Sequence, residues 1–195
     1  MRSTPKAKLM VALAIWISER LATKCDLLIF DVSALLWTIC WPNEGYPLQT
    51  YIKAFQVFAI EALATASAVF AFDYYFPNST KAHTRILRQE GDGTSRSHVL
   101  TPDMLNLPRT CILKVTKNKE QLNKMLSDAL LEPDFYRLAT KQGITMTIVG
   151  VEDHPIEITN GVRIDRVDVK ACHEDADLII TQLAILGSEN NKTYF

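Results

Sequence analysis

The chain has 195 residues, 48% of them apolar and 22% charged, with a formal net charge of −1. That composition describes a globular domain with a real core and excludes a disordered tail; with charge so nearly balanced, any contact with nucleic acid has to come from a local basic patch. Four cysteines (Cys25, Cys40, Cys111, Cys172) form no CxxC pair, which argues against structural zinc and for reduced, buried thiols in a nuclear or cytoplasmic protein.

The apolar run Leu9–Ile17 is too short to span a bilayer, so no membrane partner is expected. It lies within Lys6–Lys24, which reads as a helix, and residues 1–25 are set apart as an N-terminal helical segment from a domain over 26–195. Leu27–Asp31 is a short buried strand that runs into a helix from about Ser33 to Cys40. A turn-rich "WPNEGYPLQ" follows, then a helical pattern over Thr50–Ala64 and a second apolar strand, Ser67–Asp73, closed by an acid. Beyond it, Lys81, Arg85 and Arg88 recur at helical spacing on one face, behind the aromatics Tyr74, Tyr75 and Phe76. "EGDGTSRSH" reads as a loop, and "CILKVT" as either a strand or a lead-in. The next helix carries Asn118 as its cap with Gln121 three residues on. Another opens at Pro133 and ends before Gly143. "ITMTIVGVED" is a third strand, Asn160–Gly161 sits between two alternating runs as a hairpin turn, and a last helix begins near His173.

Apolar strands alternating with helices define an α/β domain with a largely parallel sheet, whose ligands bind at the carboxyl ends of the strands. Asp31 and Asp73 close the first two strands and so share one edge. Glu174, Asp175 and Asp177 crowd three acids into the first turn of the last helix. Read locally, they favour the positive end of the helix dipole. Read with Asp31 and Asp73, they are hard oxygen donors for a divalent cation such as Mg²⁺. The chemistry that follows is phosphoryl transfer to water, with Lys81, Arg85 and Arg88 on the phosphate backbone and the aromatics on the bases. The alternatives are a solvated basic face and packed aromatics.

Three segments together, "LLIFDVSALL", "VFAFDYYFPNSTKAHTRILR" and "HEDADLIITQLAI", resemble the FEN/XPG-type (flap endonuclease-like) branch of the PIN-like nuclease domains, and most of all the transposon-associated animal proteins that carry this domain. The resemblance runs from about Leu27 onward. It implies a Rossmann-like, three-layer fold with helices on both faces of the sheet. It also implies a Mg²⁺ or Mn²⁺ site and cleavage of flapped, branched or single-stranded nucleic acid. On it, Asp31, Asp73, Asp175 and Asp177 would be catalytic metal ligands, with Glu174 beside them, and Lys81, Arg85 and Arg88 would grip the substrate strand. Val32 stands where the relatives carry a small residue, which would crowd the approach of metal or phosphate. The family's next strand, with a further acidic cluster, has no counterpart before Phe195, so the domain reads as C-terminally incomplete.

Two other readings stand beside the active nuclease. One is a catalytically inactive nuclease-like fragment or binding module. The other is an aspartate-nucleophile phosphatase: "FDVSALLW" resembles the first motif of haloacid dehalogenase-like phosphatases in its strand ending in Asp. That motif needs a second Asp two residues on, where Ser33 stands here, and no later Lys in a suitable context appears.

Overall fold

The computed structural model describes residues 26–73, 96–141, 143–168 and 180–181. Among them the strands form one five-stranded sheet in the order β1-β2-β3-β4-β5. β1 (Leu27–Asp31), β2 (Ser67–Ala71) and β3 (Thr145–Val149) run parallel, with Ile29 opposite Val69 and Val69 opposite Thr147. "LLIFD" and "SAVFA" are the nearly continuous apolar runs that parallel strands commonly show. β4 (Ile156–Thr159) and β5 (Val162–Asp165) add an antiparallel hairpin beside β3. Its turn is the expected Asn160–Gly161, with φ of 52° and 73°; two successive positive φ angles are what a type I′ turn demands.

α1 (Val32–Thr38) and α2 (Gln49–Thr65) cross from β1 to β2. The described part of the crossover from β2 to β3 holds α3 (Arg109–Leu113), α4 (Thr116–Leu130) and α5 (Pro133–Ala139). Parallel crossovers share one hand, and both here step in the same direction across the sheet, so these five described helices fall on one face. There they close the main core: Leu28, Phe70, Met146 and Ile158 of the sheet meet Leu36, Phe55, Ile112, Leu126 and Phe135 of the helices. Phe30 packs between rings on both layers, stacked on Phe70 at 5.5 Å and edge-on to Phe58 at 5.1 Å. Tyr51 of α2 is fully buried and donates its hydroxyl to the Leu36 carbonyl at 3.3 Å; burial pushes that phenol well above its usual range. On the opposite face Val69, Ala71 and Val149 form a second cluster, joined by Ile180, which is helical and belongs to the region of the last expected helix.

The α/β fold is therefore as read from the sequence, with a parallel core of three strands and an antiparallel extension. Several local expectations are corrected. "CILKVT" is not a strand; of the two alternatives it is the lead-in, finishing the short helix α3 and turning into α4. The second strand ends at Ala71, two residues before Asp73. Asn118 does not cap α4; the cap position is Val115, and Asn118 and Gln121 lie inside the helix with tertiary partners. Cys40 and Cys111 are exposed rather than buried: Cys40 follows the end of α1, and Cys111 lies on the solvent side of the short helix α3. Val32 is fully buried in the main core, so its side chain packs beneath the helices instead of crowding the strand ends. The helix read over Lys6–Lys24 lies outside the described residues. Among the described residues no helix is long and apolar enough to cross a membrane.

Candidate functional site at the strand carboxyl ends

β1 and β2 are parallel and in register, Asp31 opposite Ala71, so their carboxyl ends share one edge of the sheet. The chain turns at Asp31 directly into α1. Asp31 is the N-cap: its backbone is extended and its Oδ1 accepts the Ser33 backbone N–H at 2.8 Å. That bond satisfies one of the orphan donors of the first turn and orients the carboxylate. It also places Ser33 one short step into the helix, where its hydroxyl donates to Asp73 Oδ2 at 2.5 Å. Such a length is typical of a hydroxyl bonded to an ionised carboxylate. Ser33 thus links the two acids, through its backbone to Asp31 and through its side chain to Asp73.

The fourth member is Lys119, from the first turn of α4. Its Nζ donates to Ser33 Oγ at 2.8 Å and to Asp73 Oδ2 at 3.0 Å. The two charged side chains are about four-fifths buried, at 20% and 18% exposure. Partial burial raises the worth of the contact above that of an exposed ion pair, toward the roughly 1.5–3 kcal/mol of hydrogen bonds to charged groups. For contrast, Lys124 and Asp128 on the same helix make an i,i+4 pair at 3.1 Å that is 75% and 57% exposed, a solvated contact of small value.

Two further features hold this cluster in shape. Phe72, between strand β2 and Asp73, donates its N–H to the Val149 carbonyl at 2.9 Å, which carries the sheet pairing one residue beyond β2. Gly150, next along β3, has φ of +80°, and a Cβ there would overlap the Phe72 carbonyl oxygen. The close approach of these two backbones requires glycine. On the other side, α4 is tied to the incoming segment. Asn118 accepts the His98 N–H at 2.8 Å and donates to the carbonyls of Arg96 and Cys111, both at 3.1 Å. Gln121 accepts the Leu100 N–H at 3.0 Å and donates to the His98 carbonyl at 2.8 Å. The helix that presents Lys119 is therefore fixed by its own polar face.

Of the residues selected from the sequence, the structure brings Asp31 and Asp73 to the same edge, as read. Glu174, Asp175 and Asp177 lie outside the described residues, as do Lys81, Arg85, Arg88 and the aromatics Tyr74, Tyr75 and Phe76. Sequence reasoning missed Ser33 and Lys119. Ser33 carried a signal, its position two residues after a strand-ending Asp. Lys119 carried none: it is 46 residues from Asp73 and 86 from Ser33, and in a helix with Lys117 and Lys124 nothing local distinguishes it. Among the described residues no group of three or more His, Cys, Asp or Glu side chains gathers to hold a metal. The donors that are present, two carboxylates and a hydroxyl, are all hard oxygens of the kind Mg²⁺ and Mn²⁺ take. Among the described strands the order does not reverse, so the cluster sits at the carboxyl edge without the topological switch point typical of doubly wound sheets.

Fold and site together define an α/β protein with an open mixed sheet and an Asp–Ser–Lys–Asp cluster at the carboxyl ends of its parallel strands. No protein-family model matches the chain, and neither curated proteins nor solved structures give a match.

Proposed function

We propose that this chain is a metal-dependent nuclease-like domain, of the PIN-like FEN/XPG type, acting in the nucleus or cytoplasm on structured or single-stranded nucleic acid. The observation that supports it is the meeting of Asp31 and Asp73, from two adjacent parallel strands, at one edge of the sheet through Ser33. A hydroxyl and two carboxylates are the hard oxygen donors that suit Mg²⁺ or Mn²⁺. On this reading Asp31 and Asp73 would hold the ion together with Glu174, Asp175 and Asp177. The ion, when bound, supplies Lewis-acid polarisation of a phosphodiester and a more acidic water. The protein's own part is positional. The α1 cap fixes the Asp31 carboxylate, the Ser33 hydroxyl fixes one Asp73 oxygen, and Lys81, Arg85 and Arg88 neutralise the phosphates of the bound strand.

A second reading is a nucleic-acid-binding module without catalysis. Lys119 favours it, because an ammonium already compensates Asp73 with no metal required. One assay separates the two. Purified full chain is incubated with flap, branched and single-stranded DNA and RNA in Mg²⁺ or Mn²⁺, beside Asp31→Asn and Asp73→Asn. The nuclease reading expects cleavage that chelator abolishes and that each substitution lowers by more than the roughly 10–100-fold cost of an outer-shell partner. Binding without cleavage by folded protein, in every metal and substrate, supports the module instead. Neither binding nor cleavage removes both.

A further inference from the structure

We propose that β5 is a self-complementary edge, through which two copies of this chain join their sheets antiparallel about a two-fold axis at Ile164. Among the described residues β5 pairs only with β4, and all four of its residues are exposed. The hairpin decides which backbone groups the edge offers. A two-residue type I′ turn closes on a hydrogen-bonded pair, here Thr159 with Val162. Pairs along an antiparallel ladder alternate, so Val162 and Ile164 turn their N–H and C=O groups toward β4. The next alternate position agrees, since Arg166 donates its N–H back to the Pro155 carbonyl at 2.9 Å. Arg163 and Asp165 therefore turn their backbone groups outward. The Asp165 carbonyl accepts the Val167 N–H at 3.0 Å and keeps a second lone pair.

Three two-fold registers bring outward groups to outward groups, centred on Arg163, Ile164 or Asp165. The first sets Arg163 against its own copy and the last sets Asp165 against its own copy, and like charges directly opposite destabilise a sheet. Centring on Ile164 sets Arg163 against the partner's Asp165, and Asp165 against the partner's Arg163. Within one strand Arg163 Nε already donates to Asp165 Oδ1 at 2.9 Å. The joined edges thus make a square of alternating charge, each group with an opposite charge on both sides. On the other face Ile164, half exposed, meets its copy in the closer, non-hydrogen-bonded type of pair. The same patch serves both chains, so the assembly closes at two. Four residues a side bury far less than the roughly 1,200–2,000 Å² of a stable complex, so the dimer is weak, with a dissociation constant on the order of 100 µM.

The test is sedimentation of the full chain over about 10–500 µM. Wild-type mass is expected to rise toward two chains and no further. Arg163→Asp and Asp165→Arg each make every cross-strand charge pair alike, and each should weaken association by roughly tenfold or more. An equimolar mixture of the two variants restores opposite pairs and should associate again, as should the double variant R163D/D165R. Thermal melts check folding; the pair within the strand is exposed enough to matter little there. Wild type that stays a monomer, single variants that associate like wild type, or a mixture that stays monomeric overturns the proposal. Growth beyond two chains overturns it as well. Should a charge variant not fold, Ile164→Cys carries the comparison. Cα atoms of a non-hydrogen-bonded pair lie about 4.5 Å apart, within reach of a disulfide. Mild oxidation is then expected to yield a peptide joined to its own copy at position 164. Joining in Arg163→Cys or Asp165→Cys instead, or in none of the three, overturns the register.

Discussion

Gly150 shows how much a single residue without a side chain can decide. Its positive φ and its contact with the Phe72 carbonyl let β3 run close beside the backbone that leads to Asp73. An alanine there meets a left-handed conformation that costs an L-residue about 1–2 kcal/mol, and also a steric overlap with backbone that has little room to retreat. Gly150→Ala is expected to lower stability by about 3 kcal/mol in urea unfolding, with the slope of the transition unchanged. A loss under about 0.5 kcal/mol would mean that the two backbones are not in contact. The same logic explains why Ser33 matters more than its type suggests. Its N–H and its hydroxyl face different acids, so it couples the α1 cap to the carboxylate beyond β2.

At the level of elements, the site depends on two helices pinned from outside themselves. α1 begins at the Asp31 cap, and its far end is held by Arg109, whose guanidinium donates to the carbonyls of Trp37 at 2.6 Å and Ile39 at 2.7 Å while lying over the Trp41 ring. A cation at the carboxyl end of a helix satisfies orphan carbonyls and the dipole together. α4 is pinned by Asn118, which is fully buried and makes three bonds to backbone groups. Removing its amide leaves those groups without partners in a buried setting, at about 1–3 kcal/mol for a single unsatisfied group. Asn118→Ala is therefore expected to cost about 3 kcal/mol in a urea melt, and to open residues 96–100 to limited proteolysis before the rest of the fold. Unchanged protection of that segment would show that it is held by other contacts.

For the whole molecule, the described sheet has two ends, and they differ. At one end is β1, whose Asp31 belongs to the candidate site. At the other is β5, exposed along its whole length, with Val162 59% and Ile164 49% accessible. An exposed edge strand with apolar side chains is a template for pairing with another chain. Ile164→Lys is expected to reduce concentration-dependent self-association in light scattering and to change stability by no more than about 0.5 kcal/mol. A large loss of stability would instead show that Ile164 is covered in solution. Charge is managed more locally. Arg166 bridges Glu157 at 2.7 Å and Asp168 at 2.9 Å beside the hairpin, and the guanidinium holds the Asp168 carboxyl below its usual range.

The sequence by itself determined the strands and the main helices. Apolar runs bounded by turn residues, an Asn–Gly hairpin and a proline at a helix start are local signals with local causes. It also determined that Asp31 and Asp73 would share an edge, because parallel strands must present their carboxyl ends together. Only the tertiary structure decided the rest of the cluster. Lys119 reaches Asp73 because α4 lies on the same face as α1 and because Asn118 and Gln121 hold it there. Neither condition leaves a mark on the residues around Lys119. The same holds for Asn118, whose local pattern suggested a cap and two of whose three bonds run to a segment 20 or more residues away. Periodicity and capping report on the chain's nearest neighbours. Which charge meets which is settled by packing between elements distant in sequence, and at this site that packing sets Lys119 against Asp73.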